Sequence, residues 1–370
     1  MISRIITPKI EEKFGRKKAI VLIGPRQVGK TTLINEILKN KKHLFLNCDD
    51  PAVRSLLTNI NTEELRTLIG NHKIVFIDEA QRIENIGITL KLVTDIFKEV
   101  QLIVSGSSAL ELANNLSEPL TGRKWQYELW PVSWKEFEDY FGHLKAEQQL
   151  ETRLIYGMYP DVITNPGDEE TILKEITNSY LYKDLLSYSG IRKPELLEKI
   201  LQALALQLGN EVSYNELSQL VGIDKNTISS YIDLLQKAYV IFRLGSFSRN
   251  LRNEIKTNQK IYFIDVGIRN AVLGNYTTLG LRNDKGVLWE NFLIAERQKK
   301  ILYNQLNERP YFWRTTTQQE IDYVEDGNGV IKGYEIKWSA DAKKRPLLTF
   351  KDAYNADIEY INRSNFRTFI

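Results

Sequence analysis

The stretch Ala19-Ile20-Val21-Leu22-Ile23-Gly24-Pro25-Arg26-Gln27-Val28-Gly29-Lys30-Thr31-Thr32 decides how the N-terminal third folds. A short β-branched run ends at Gly24, and Thr32 to Leu38 follows with its apolar residues at helical spacing. Strand, loop and helix in that order are the setting that a GxxxxGK[ST] pattern requires. The glycines let the loop curl so that backbone N–H groups point into one concavity, and the helix start adds partial positive charge for phosphate oxygens. Gly24, Pro25, Arg26, Gln27, Val28, Gly29, Lys30, Thr31 and Thr32 are therefore the expected nucleotide contacts. Lys30 would reach the β- and γ-phosphates of ATP, and Thr31 would offer its hydroxyl to Mg²⁺.

Further along, Lys73-Ile74-Val75-Phe76-Ile77-Asp78-Glu79-Ala80-Gln81 reads as a fully buried strand that carries two acids to its carboxyl end. In this Walker B pattern Asp78 would hold the metal, and Glu79 would orient or deprotonate the attacking water. The pair points to hydrolysis rather than transfer to a small acceptor. Leu102-Ile103-Val104-Ser105-Gly106-Ser107-Ser108 is a further apolar strand that ends in hydroxyls. Ser107 is either a sensor beside the γ-phosphate or a helix N-cap. Arg123, in Leu120-Thr121-Gly122-Arg123, is either an arginine finger, acting in cis or across a homo-oligomer interface, or a solvated surface residue.

A length of 370 residues predicts two or three domains. With 42% hydrophobic and 26% charged residues the composition is that of an ordinary globular protein, and no repeat or low-complexity tract interrupts it. No apolar run is long enough to span a bilayer and the start lacks a secretory core, so a cytoplasmic protein with no membrane contact is expected. Cys48 stands alone, which excludes an internal disulfide and a cysteine-based zinc cluster. A net charge of +3 is too mild to argue for nucleic acid by itself.

Turn formers cluster at Pro160-Asp161 and Asn165-Pro166-Gly167-Asp168, which suggests a domain boundary. Beyond it, Leu196, Leu197, Ile200, Leu201, Leu204 and Leu208 mark an amphipathic helix from Pro194 to Leu208. Ser213-Tyr214-Asn215-Glu216 reads as a capping box for a second helix, and Asp224 as the cap of a third from about Lys225 to Ala238. Helix, glycine turn, helix and a strand from Tyr239 to Leu244 suggest a winged helix. Its recognition helix would present Lys225, Asn226, Thr227, Ser229 and Ser230 to DNA, and Arg243, Arg249, Arg252, Lys256 and Lys260 form a basic strip for phosphates. The same shape also serves as a protein-interaction module.

In the last third, Gln319-Glu320-Ile321-Asp322-Tyr323-Val324 and Val330-Ile331-Lys332-Gly333-Tyr334-Glu335-Ile336-Lys337-Trp338 flank the turn Asp326-Gly327-Asn328-Gly329. A turn centred between Gly327 and Asn328 puts Glu320 opposite Glu335, with Asp322 one diagonal step away. Asp322 and Glu335 could then share a divalent metal, with Lys337 orienting the nucleophile and Glu290, on a helix from Leu288 to Lys299, completing a nuclease-like site. Otherwise these charges simply pair across the strands.

Taken in order, the P-loop, Ile77-Asp78-Glu79-Ala80-Gln81, Gly122-Arg123 with Pro131-Val132-Ser133-Trp134, Lys260-Ile261-Tyr262-Phe263-Ile264-Asp265-Val266-Gly267, Trp313-Arg314, Glu320-Ile321-Asp322 and Glu335-Ile336-Lys337 resemble a prokaryotic family of AAA-superfamily ATPases with a C-terminal DUF4143 domain. The resemblance implies an α/β chain: a P-loop ATPase domain with a parallel sheet over 1–165, a winged helix over 166–250 and a restriction-endonuclease-like domain over 251–370. The expected function couples the nucleotide state to DNA binding and a nuclease-like domain, with ATP and Mg²⁺ as cofactors. The alternatives are a non-cleaving ATP-dependent regulator and a nucleotide-gated scaffold for a protein partner.

Overall fold

The computed structural model describes residues 1–107, 120–178, 194–248, 259–315, 317–341 and 348–370. The chain divides into two compact units, Met1–Val132 with Lys237–Tyr239, and Ser133–Gln236 with Val240–Ile370.

In the first unit β1 (Ala19–Ile23), β2 (Leu44–Asn47), β3 (Ile74–Asp78), β4 (Gln101–Gly106) and β5 (Lys124–Glu128) form, among the described residues, a five-stranded sheet in the order β2-β3-β4-β1-β5. All its pairings are parallel. Every residue of β1 and β4 is buried, which explains why both read as unbroken apolar runs rather than alternating ones. Leu33, Ile34, Ile37 and Leu38 of the helix Lys30–Leu38 are also buried. Each such side chain contributes about 1.5–3 kcal/mol on leaving water. The helix Thr62–Ile69 starts on a complete capping box, Asn61 with Glu64, and Pro51–Leu57 starts on Asp50 followed by a proline.

The strand order has one consequence for function. Although β4 is later in sequence, it lies between β1 and β3, so its carboxyl end emerges between the P-loop and the acidic pair. Ser105, Gly106 and Ser107 are delivered there.

In the second unit β6 (Glu211–Val212), β7 (Ile241–Ser246), β8 (Gln259–Phe263), β9 (Glu308–Arg314), β10 (Glu320–Gly327), β11 (Val330–Ile336) and β12 (Asp357–Ile361) form, among the described residues, one mixed sheet in the order β12-β11-β10-β9-β7-β8-β6. The expected helices occur at Pro194–Leu206, Tyr214–Val221 and Lys225–Lys237. Asp224 caps the third by accepting from Asn226 N and Thr227 N, both at 3.0 Å. At the second, only half of the capping box forms: Ser213 Oγ accepts from Glu216 N at 3.4 Å, while the Glu216 carboxylate accepts from Gln207.

The expected boundaries and the observed units differ. Helices Trp134–Phe141 and His143–Tyr156, placed by the sequence reading in the first domain, group with the second unit. Phe292 and Phe366 pack edge-on against Trp134, whose backbone N–H donates to buried Glu296 at 2.6 Å. The expected boundary at 250 likewise divides strands of one sheet, because β7, before it, pairs in parallel with β9, after it. A second anchor is Asp265, which accepts from Met158 N at 2.7 Å and Gly267 N at 2.8 Å. A Cβ on Gly157 would lie 1.8 Å from its Oδ1, so only glycine fits.

Candidate active site

The phosphate loop is built by backbone freedom at its two ends. Gly24 adopts φ +147, and a Cβ there would meet Leu129 O at 2.1 Å, so the loop leaves β1 flush against the chain beyond β5. Gln27 and Gly29 also have positive φ, and Gly29 caps the helix that Lys30 opens. Val28 and Pro25 are buried, Arg26 is half-buried, and Gln27 and Thr32 are exposed. Arg4 runs beneath the loop, donating to Val28 O at 2.8 Å and Trp130 O at 2.6 Å. Nothing local in the sequence marks Arg4, because its partners lie up to 126 positions away.

Lys30 is 4% exposed and its ammonium donates to Gly24 O at 3.0 Å and Pro25 O at 2.6 Å. These carbonyls occupy the hydrogen-bonding role that phosphate oxygens would take. Burial lowers the Lys30 pKa to about 8, against the opposing pull of Glu79 and Asp78. Thr31 Oγ1 donates to Asp78 Oδ2 at 2.8 Å, and Ser105 Oγ donates to the other oxygen of the same carboxylate. Hydroxyl and carboxylate oxygens side by side are the hard donors that Mg²⁺ prefers, so Thr31 and Asp78 fit its site.

Glu79 follows directly, in a left-handed conformation with φ +53. Its carboxylate accepts from Gln81 Nε2, which also donates to Ser107 Oγ at 2.8 Å. Arg26 Nε approaches the same hydroxyl at 3.5 Å. The β4 end thus brings Ser107 to the loop and the acids together. Gln81, quoted in the motif without a role, is the residue that sequence reasoning missed; its signal was a polar side chain three positions after a buried aspartate.

Arg123 is a correction for the in-cis reading. The parallel register pairs Ala19 with Lys124, so Arg123 stands at the amino-terminal edge of the sheet, opposite the edge that carries the loop. Five residues at about 3.3 Å each separate the two edges. Its guanidinium instead pairs with Asp95 at 2.6 Å.

The second constellation lies wholly in the mixed sheet and its long helix Lys285–Asn304. The hairpin closes on Asn328-Gly329, with φ +53 and +80, and pairs Gly327 with Val330 and Tyr323 with Tyr334. This mirror-type turn sits two positions further along in register than the sequence reading assumed. Continuing the register sets Asp322, not Glu320, across from Glu335. Glu320 faces Arg314 of β9 instead.

Lys337 Nζ lies 3.1 Å from Asp322 and 2.8 Å from Glu335. Lys260, 1% exposed, lies 2.5 Å from Glu320 and 3.5 Å from Glu290, while Tyr262 donates to Glu290 at 2.6 Å. Burial raises Glu290 to about 7, opposed by Lys260, and burial raises Glu335 to about 7, reinforced by Asp322 and opposed by Lys337. Burial alone would pull Lys260 down, but Glu290, Glu320 and Asp322 outweigh it and hold its ammonium protonated. Lys337 thus bridges Asp322 and Glu335, whereas Glu290 is held by Lys260 and Tyr262. Among the described residues, however, no three acids converge as a metal site requires, because two ammonium groups sit between them.

The expected basic strip fares differently. Lys260 is interior, and Arg243 is paired with Asp233 and Gln236. Arg249, Arg252 and Lys256 lie outside the described residues. On the third helix Lys225 and Asn226 are exposed and Ser229 is half-buried, while Thr227 Oγ1 donates to Asp224 at 2.5 Å.

Residues 16–138 match the AAA domain family, 147–279 a domain of unknown function (DUF8612) and 285–365 a domain of unknown function (DUF4143). The chain is similar to an uncharacterized protein of Mycobacterium tuberculosis, 27% identical over 334 residues that cover 89% of this chain and 72% of that one. It is also similar to one of Methanocaldococcus jannaschii, 26% identical over 353 residues that cover 87% and 75% respectively. In fold it resembles a Walker-type ATPase of Pyrococcus abyssi, with a TM-score of 0.52 at 17% identity, covering 74% of this chain and 96% of that one. The chain thus carries an AAA domain followed at its C-terminus by a DUF4143 domain, and its relatives are prokaryotic.

Proposed function

We propose that this protein binds ATP and hydrolyses it with Mg²⁺, and that the nucleotide state controls a DNA-binding winged helix and a nuclease-like domain. The observation that carries the ATPase reading is the contact of Thr31 with Asp78 at 2.8 Å, beside Lys30 and one residue before Glu79. Those two oxygen donors would hold Mg²⁺, which neutralises phosphate charge when bound. Lys30 exchanges its loop carbonyls for phosphate oxygens. Glu79 takes a proton from water as the water oxygen bonds to the γ-phosphorus and the bond to the leaving ADP oxygen breaks. Lys30→Ala and Glu79→Gln should each abolish turnover, the second while still binding ATP. Parent-like turnover in either would remove the assignment.

The winged-helix reading is supported by the order helix, β6, two helices and the β7–β8 pair, with β6 beside β8. DNA retention that weakens with salt and on Lys225→Ala or Arg252→Ala would bear it out; retention indifferent to both would favour a scaffold for a protein partner. For the acidic cluster a specific observation favours the non-cleaving alternative. Lys260 and Lys337 already neutralise the carboxylates that a metal would need. Plasmid incubated with Mn²⁺ should stay intact on this reading, and nicking that Glu335→Ala abolishes would restore the nuclease.

A further inference from the structure

The amide of Gln81 joins three groups that the ATPase reading treats separately. Its Nε2 donates to Glu79 Oε2 at 2.5 Å and to Ser107 Oγ at 2.8 Å, and its Oε1 accepts from Ser107 N at 3.3 Å. The orientation of the amide follows from chemistry: a carboxylate only accepts and a backbone N–H only donates, so nitrogen faces Glu79 and oxygen faces Ser107 N. Gln81 is buried, so this geometry is held by packing and not by water.

The direction of the hydrogen bonds fixes a second point. Among the described residues, both groups that approach Ser107 Oγ, Gln81 Nε2 and Arg26 Nε, are donors. The hydroxyl accepts from them, and its own proton remains to be given. The strand order sets Ser107 between the phosphate loop and the acidic pair, so the acceptor available in a loaded site is a phosphate oxygen. On the other side, the bond from Gln81 fixes one oxygen of the Glu79 carboxylate, Oε2.

We infer that Gln81 is a positioning residue that couples recognition of the γ-phosphate by Ser107 to the orientation of the base Glu79. This rests on the ATPase reading above and adds a component to it. A phosphate that draws the Ser107 hydroxyl moves the amide bonded to it, and that amide holds the carboxylate. Loss of the γ-phosphate releases the same chain of contacts in reverse.

The test compares the parent protein with Gln81→Met, which keeps the side-chain length without hydrogen bonds, and Gln81→Glu, which keeps the shape but cannot donate to Glu79. Steady-state turnover gives kcat, calorimetric titration with Mg–ATP gives Kd, and thermal unfolding checks that each variant folds. Both variants should lose about 10- to 100-fold in kcat, the scale of a misplaced catalytic group, with Kd held within about threefold. Combining Gln81→Met with Ser107→Ala should cost little more than the worse single change, because the two act as one unit. Parent-like kcat in both Gln81 variants, losses that multiply in the double variant, or a Kd that rises as much as kcat falls overturns the inference while leaving the ATPase standing. Absence of turnover in the parent protein overturns both.

Discussion

Lys30 shows how far a single position can be read. Its motif gave its identity, but not the two loop carbonyls that hold its ammonium, nor the burial that brings its pKa from the ordinary 10.5 to about 8. The sign of the linkage follows. Below about pH 8 the residue is charged in both folded and unfolded chains, and burial of that charge costs stability. Between about 8 and 10.5 the folded chain gives up its proton first, so that cost is lifted as pH rises. Nucleotide binding runs the other way, since phosphate requires the ammonium. ATP affinity should therefore weaken above about pH 8, by at most about tenfold per pH unit, and calorimetry across pH 7 to 10 checks this. An affinity that does not change with pH would contradict it. Arg123 gives the contrasting case, because a sequence cannot say which edge of a sheet a loop returns to. It lies 42% exposed at the edge remote from the phosphate loop. Arg123→Ala should leave turnover of the isolated chain within about twofold and cost no more than about 1 kcal/mol in denaturant unfolding, as exposed pairs do.

At the level of elements, the strands and helices that carry the motifs were legible because burial on both faces or one face writes itself into residue spacing. β1, β3 and the helix after the loop follow the sequence reading within a residue or two, and so do the three helices from Pro194 to Lys237. The hairpin register was not legible in the same way. Asp326-Gly327-Asn328-Gly329 allows more than one turn centre, and the choice of Asn328-Gly329 moved every cross-strand partner by two positions. The face of the cluster was kept, since two positions preserve the alternation, but the partner of Glu335 changed. The role of Lys260-Ile261-Tyr262-Phe263-Ile264-Asp265-Val266-Gly267 was also hidden. Lys260 looked like part of an exposed basic strip, and only the sheet buries it between Glu290 and Glu320. Asp265 fastens this segment to Met158 and lies against Gly157, and Gly267 lies against the Tyr156 carbonyl. Gly157→Ala should destabilise the second unit by about 3 kcal/mol or more, because the added methyl meets a carboxylate oxygen and the φ of +74 disfavours a side chain. Guanidinium unfolding checks this, and a change under 1 kcal/mol would refute the proposed fit.

For the whole molecule, the divisions between compact units were less legible than the local motifs. Motifs are local, whereas the limits of a compact unit depend on which distant strands pair, such as β7 with β9. The AAA domain holds the loop, the acidic pair and the Gln81 bridge in one parallel sheet, while the acidic cluster in the mixed sheet draws Glu290, Asp322, Glu335 and Lys337 from the DUF4143 region and Lys260 from the segment before it. The proposed function depends on nucleotide binding at the first of these. Its most direct test is calorimetric titration of Mg–ATP into the intact chain. One saturable site per chain is expected, with binding lost in Lys30→Ala and retained in Glu79→Gln. Absence of heat up to millimolar ATP, on protein shown to be folded, would contradict it.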